Sequence, residues 1–345
     1  MSTPHRTARR SDFDFLRVMA MVAVVAIHCV MPIIMLKLPN DDNWIGADIV
    51  DNYLRWCVPV FIMLSGALLI RPQTFSRMKE FYRRRAVRVL VPLIAWSALY
   101  GLWTIIVLGG NVPLGTFLEA FAAGSPVGGP HLYFLFIILG LYALAPVISL
   151  YAGSVSPAAF RRTSLALLAV ASAWLLIQVQ VLGRADDYTM LTWALPFVGY
   201  FMLGHSLADT RTTKRQNILL LLGFFAFGLF NVVASVYTRY DDNMFYQNYI
   251  SPTIIGLSIC AFLGGRALYG KLRTAWLDRT LAWLAQISLA VYLVHVMILE
   301  TLAHYLAFDR GSIVVAGPVF IVVLLLSIAA ATVMRYMPGI RRLAG

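Results

Sequence analysis

Ten stretches of about twenty apolar residues constrain this chain most, because a helix needs roughly 20 such residues to cross a bilayer core of about 30 Å. They run near 13–36, 49–70, 87–108, 131–150, 163–183, 190–207, 217–237, 250–268, 280–300 and 312–334. Leu, Val, Ile, Ala and Phe dominate them, without the regular alternation that strands of a membrane barrel require. The sixth and eighth are the weakest, since they carry Pro196 and Pro252 and each is short or mixed in polarity. With 60% hydrophobic and 13% charged residues over 345 positions, and a mean hydropathy of +0.76, the chain holds more apolar side chain than one water-soluble core can hide. A soluble enzyme, a disordered chain and a fibrous chain are excluded. The expected fold is all-α: a polytopic membrane helix bundle of about ten transmembrane helices. No internal repeat or linker divides it, so residues 1–345 read as a single transmembrane domain.

The net charge of +12 would suggest a nucleic-acid partner in a soluble protein. Here it follows the spans. Of 28 Lys and Arg, all but Lys37, Arg55, Arg184, Arg239 and Arg310 fall on one set of alternate segments, which includes both termini. The other set carries the acidic pairs Asp41-Asp42, Asp186-Asp187 and Asp241-Asp242. The positive-inside rule therefore puts both termini in the cytoplasm and leaves no call for nucleic acid. The basic stretch Arg6–Arg10 resembles the start of a signal peptide, but the apolar run after it is too long and lacks a small-residue cleavage site. It reads as a retained first span. Cys29, Cys57 and Cys260 lie in apolar spans without metal-like or redox-like spacing, so neither a disulfide nor a metal is expected. The longest external loop, 109–129, is rich in Gly and Pro and contains a short helix over 114–123.

An ionisable group inside a membrane is costly, which makes each one a functional candidate. The first span carries Asp14, Arg17 and His28. Arg17 and His28 are eleven residues apart, about 1100° of helical rotation, so they lie within about 20° of one face and about 16 Å apart along the axis. Asp14, three residues before Arg17, is expected to pair with it. Arg17 alone also reads as a positive-inside anchor, and His28 alone as a histidine hydrogen-bonded within the bundle. His is nonetheless the side chain best suited to proton transfer near neutral pH.

The second span opens with Asp48, Asp51 and Arg55. Asp51 and Arg55 can form an ion pair across one turn, or Arg55 can recognise an anionic or hydroxyl-rich substrate. Ser65-Gly66 follows, a step that by itself permits close helix packing. Arg83-Arg84-Arg85 and Arg88 form a dense cluster where the third span enters the membrane. It suits anionic lipid, and equally the polyphosphate of a coenzyme A. No P-loop or dinucleotide glycine motif is present to hold phosphate otherwise. His131 opens the fourth span, Tyr292 and His295 lie near the outer end of the ninth, and Glu300 and His304 follow one turn apart. His205, at the inner end of the sixth span, reads as an interfacial polar cap.

Taken in order, these residues resemble a known family. The marks are Asp14-Phe-Leu-Arg17 with His28, Arg55 followed by Pro59 and Phe61…Ser65-Gly66, and Arg85-Ala-Val-Arg88 with Pro92. They continue with His131-Leu-Tyr-Phe-Leu, Leu141-Tyr-Ala-Leu-Ala-Pro146 and Ile287-Ser-Leu-Ala-Val-Tyr292-Leu-Val-His295. Over essentially the whole chain they resemble acyltransferase family 3, bacterial inner-membrane O-acyltransferases of surface sugars. The size resembles the stand-alone members, such as the enzyme acetylating enterobacterial common antigen. Tyr133 stands where the family more often has Trp.

The resemblance implies transfer of an acyl group, by default acetyl from cytoplasmic acetyl-CoA, to a hydroxyl of a surface or lipid-linked saccharide. It implies that Arg84, Arg85 and Arg88 hold the donor phosphates, with Ser65 along the donor path. His28 acts as general base, Asp14 orients Arg17, and Arg17 or Ser65 is the candidate stabiliser of the oxyanion. Arg55, His131, Tyr292, His295 and Glu300 line the acceptor side. Membrane lipids complete the set of partners, and the bacterial inner membrane is the implied location. A multi-pass transporter of an acyl group, lipid or proton would also place ionisable residues in spans, and a non-catalytic partner of a polysaccharide synthase is a third reading.

Overall fold

The computed structural model describes residues 9–38, 41–71, 75–182, 192–238, 245–337 and 339–340. Among these there is no strand, and nine helical stretches are long and apolar enough to cross a membrane. The acidic pairs at 186–187 and 241–242, and Arg184 and Arg239, lie outside the described residues.

The first helix, α1 (Ser11–Leu36), is apolar nearly all round, as a membrane span is, and most of its surface is covered by other helices. It packs against α2 (Asp42–Leu54), α3 (Cys57–Leu69), α11 (Pro252–Leu272), α12 (Ala275–Leu306) and α13 (Ile313–Tyr336). Three helices sit at the periphery: α8 (Pro157–Gln180), α10 (Lys214–Thr238) and α13. Each buries one narrow stripe and turns large side chains outward. In α13 the stripe includes Val323, Ser327 and Ala331, while Ile321, Leu325 and Leu326 are exposed. Small residues on the inner face let backbones approach where no hydrophobic effect drives helices together.

Two spans are irregular for stated reasons. The second is two helices, broken at Arg55-Trp56. Pro59 has no N–H to give the carbonyl of Arg55, so the ladder lapses where Arg55 leaves the helix. The third runs from α4 (Met78–Arg85) through a π-helical turn, Ala86–Leu90, into α5 (Val91–Ile106). Pro92 likewise withholds the partner for Arg88's carbonyl, and the ladder widens just before it. Such turns recur at functional sites.

The remaining elements are α6 (Leu114–Ala122), α7 (Tyr133–Ser154) and α9 (Val198–Leu207). The α6 helix falls where the sequence predicts one in the 109–129 loop. Pro252, read from sequence as weakening the eighth span, begins α11 instead: it occupies the first helical position, with Ser251 capping the backbone N–H of Ile254 at 3.3 Å. The sixth span differs most. Its described part is a 3₁₀ turn at Leu195–Phe197 and the ten-residue α9, too short to cross a bilayer but buried over most of its surface. It survives by packing between α3 and α8.

The contact of α9 with α3 is backbone on backbone. A methyl group on Gly66 would overlap the carbonyl of Phe201, and one on Gly204 would overlap that of Met63. The Ser65-Gly66 step therefore does serve helix packing. Gly66→Leu or Gly204→Leu should lower the melting temperature of the purified protein, by an overpacking cost of about 1–3 kcal/mol. Gly270→Ala, where an added methyl meets open space, should be neutral or mildly stabilising.

Candidate active site

A cavity of about 1250 Å³ opens at the end of the bundle where the N-terminal part of α1 lies. That volume is at or above the upper end of ordinary small-molecule sites, roughly 300–1,000 Å³. Arg9, Arg17, Arg85, Arg88 and Arg335 line it. Two of them are occupied: Arg9 pairs with Asp14 at 2.5 Å, and Arg335 donates to Gln286 at 2.5 Å. Among the described residues no carboxylate comes within ion-pair distance of Arg17, Arg85 or Arg88. Arg85 rests over the rings of Phe81 and Tyr142, each 5.5 Å away, and its Nε is buried without a hydrogen-bond partner. Three guanidinium groups without an ion-pair partner, facing one cavity, make a site for a multiply charged anion.

The same cavity is also lined by Ser65, Phe61, Phe134 and Tyr292. Ser65 donates its hydroxyl hydrogen to the carbonyl of Phe61 at 3.0 Å. The three aromatic rings touch in sequence, Phe61 to Phe134 at 5.9 Å and Phe134 to Tyr292 at 5.6 Å between centroids. Tyr292 is the joint with what lies beyond. Its hydroxyl donates to the carbonyl of His131, and its ring lies 5.4 Å from that of His131.

Beyond Tyr292 three histidines converge. The rings of His28 and His295 are 4.9 Å apart, His131 and His295 5.2 Å, and His28 and His131 5.7 Å. They come from α1, from the turn Pro130–Leu132 before α7, and from α12. His131 and His295 are buried, while His28 is only partly so. Among the described residues no group of three His, Cys, Asp or Glu is arranged to hold a metal. Tyr100 backs the cluster, its ring 5.2 Å from His131 and its hydroxyl donating to the carbonyl of Leu293 at 2.9 Å.

Several residues are placed otherwise than the sequence predicts. Asp14 pairs with Arg9, not with Arg17, because the chain entering α1 carries Arg9 back over the first turn, and Arg9 is further anchored on the carbonyl of Ala282 at 2.6 Å. Arg84 is exposed, bonded to Glu80 one turn before it, and does not line the cavity. Glu300 forms a two-pronged pair with Arg310, at 2.6 and 2.8 Å, that ties the α12–α13 connection.

Arg55 belongs to a separate buried network. It bonds Asp51 at 2.8 Å and the carbonyl of Gln247, while Ser235 and Asn52 donate to Asp48 at 2.7 and 2.9 Å. His205 sits edge-on to Phe160 at 5.5 Å, away from the cluster. Sequence reasoning assigned no role to Arg9, Tyr100 or Arg335. Phe61, Phe134 and Tyr142 do fall inside the stretches that carry the family resemblance.

The sequence profile of the acyltransferase domain of acyltransferase family 3 matches residues 10–332, nearly the whole chain. The chain belongs to this family. It is also similar to a Bacillus subtilis (strain 168) protein, YfiQ, named as a membrane-bound acyltransferase, with 26% identity over 147 residues. That stretch covers 42% of this chain and 41% of the relative. No solved structure matches the chain. The chain is thus a multi-pass membrane protein of this family, and it spans about two-fifths of the relative's length. An acyltransferase needs a place for an acyl donor and a group that can move a proton, and the arginine cavity and histidine cluster are adjacent candidates for the two.

The Arg55 network separates a structural from a ligand-binding role. Asp51→Leu leaves a buried guanidinium unpaired and should destabilise the protein by about 3–5 kcal/mol, read as a fall in melting temperature. The double variant Asp51→Leu/Arg55→Leu should recover most of that loss. If it also keeps full transferase activity, Arg55 has no part in binding the acceptor.

Proposed function

We propose that the protein transfers an acyl group, most simply acetyl, from acyl-coenzyme A to a hydroxyl of a surface or lipid-linked saccharide. The observation that carries this reading is the continuity of one cavity. It begins at three arginines without an ion-pair partner and ends at a tyrosine in contact with His131 and His295, the two histidines that flank His28. The diphosphate and ribose phosphate of the donor occupy the end at Arg17, Arg85 and Arg88. The pantetheine arm follows the cavity past Ser65 towards His28, about 16 Å further along α1 than Arg17. The charge pattern favours the arginine end as the cytoplasmic one, in a bacterial inner membrane, with both termini on that side. The acceptor then arrives from the opposite side.

His28, the partly exposed member of the cluster, acts as general base. It takes the proton of the acceptor hydroxyl as the oxygen attacks the thioester carbon. The tetrahedral intermediate collapses with rupture of the C–S bond. The imidazolium returns its proton to the departing coenzyme A sulfur, so atoms and charge balance without a further reactant. His131 and Tyr292 shape the acceptor side of this step.

The test uses purified protein, radiolabelled acetyl-CoA and a panel of lipid-linked sugars. His28→Ala should lower transfer by about 10²- to 10⁴-fold, whereas His205→Ala should leave it unchanged. Arg85→Ala or Arg88→Ala should raise the apparent donor KM by about tenfold or more, the loss of a charge-assisted bond. Full activity in His28→Ala contradicts the mechanism, and an effect of the arginines on acceptor dependence alone contradicts the donor site.

A further inference from the structure

His295 has a hydrogen-bonding arrangement that the reaction above does not use. Its Nδ1 lies 2.7 Å from the carbonyl oxygen of Tyr292, one turn earlier on α12. A carbonyl only accepts, so Nδ1 carries the proton. In a neutral imidazole the other nitrogen, Nε2, is then a bare acceptor. That Nε2 is buried and has no hydrogen-bond partner among the described residues, and the residue as a whole is fully buried. Buried acceptors are seldom left unmatched. Because the Nδ1 edge is tied to the backbone of α12 itself, the Nε2 edge projects away from that helix, where the neighbouring rings stand.

Two rings are close enough to supply a donor. An in-line N–H···N bond between imidazoles, at about 2.9 Å between nitrogens, puts ring centroids about 5 Å apart. His28 is at 4.9 Å and His131 at 5.2 Å. His131, whose two ring nitrogens are also buried without a hydrogen-bond partner, stands slightly further off and is wedged edge-on between the rings of Tyr100 and Tyr292. His28 is nearer and is the partly exposed ring of the three.

We propose that His295 is the positioning residue for His28. The structure itself does not contain this bond; a turn of the His28 ring brings one of its N–H groups onto Nε2, which fixes the tautomer and orientation of the base and leaves the other nitrogen bare towards the acceptor. The arrangement follows the logic of a nucleophile's base held by a third group. Here that group is neutral, which suits the membrane interior, where a carboxylate is costly. When His28 takes the proton of the hydroxyl, both its nitrogens become donors. One stays on His295 while the other returns its proton to the thiolate.

This inference rests on the reading of His28 as base, but one arm of its test does not need the reaction. In full-length protein labelled with 15N-histidine, His295 should be protonated at Nδ1 and bare at Nε2 near neutral pH. His28 should populate one tautomer. In His295→Leu the two His28 nitrogen signals should move towards the average of both tautomers, and in His131→Leu they should stay.

In the transfer assay, His295→Leu should lower kcat about 10- to 100-fold with the donor KM unchanged. His295→Gln, whose amide oxygen can accept the same bond, should recover part of the loss. A proton on His295 Nε2, unchanged His28 signals in His295→Leu, or a response to His131→Leu instead would overturn the proposal. If the wild-type protein transfers no acyl group at all, the proposed function fails while the nitrogen spectra still decide the pairing.

Discussion

The desolvation of charge governs this molecule. A guanidinium or imidazole cannot face hydrocarbon, so a helix carrying Arg17 and His28 has to be surrounded. The bundle does this with five helices packed round α1. The lipid-facing work falls to α8, α10 and α13, whose buried faces are narrow and whose exposed faces are apolar. A central polar-bearing helix and a peripheral apolar shell are two consequences of one cost.

The same cost sorts the arginines. Those that can find a carboxylate do so: Arg9 with Asp14, Arg10 and Arg266 with Asp12, Arg55 with Asp51, and Arg310 with Glu300. One of them ties distant segments: Arg266 joins α11 to the first turn of α1. What the pairing leaves over is more informative than the pairs. Arg17, Arg85 and Arg88 stand without an ion-pair partner on a cavity wall, a state that a membrane protein tolerates where water or an anion can reach. The π-helical turn ahead of Pro92 contributes directly, because it lies between Arg85 and the start of α5 and carries Arg88.

Much of this was legible in the residues. Most span lengths and the Arg85–Arg88 cluster follow from helical rise and hydropathy alone. The resemblance pointed to His131, Tyr292 and His295. That His131 and His295 meet His28 is a long-range fact, fixed by how α12 and the turn before α7 come together beside α1, and no local rule contains it. Where expectation and structure part, competition among partners decides. Asp14 had Arg17 on its own helix but took Arg9, which reaches it from outside the helix. Glu300 had a place by motif proximity but took Arg310, ten residues on. Arg84 stands in the basic run, yet its direction on α4 turns it to Glu80 and away from the cavity. The short α9 was beyond reach too, since its stability comes from the Gly66–Gly204 crossing.

In the proposed reaction one cavity carries a donor from the arginine end to the histidine cluster. An acyl-coenzyme A bearing a photoreactive group at the end of its acyl chain tests this directly, with the sites of attachment read by mass spectrometry. Attachment confined to residues around His28, Phe134 and Tyr292, and abolished by excess coenzyme A, is the predicted result. Attachment along the outward face of α13, or near Glu300 and Arg310 with none at the histidines, would contradict it.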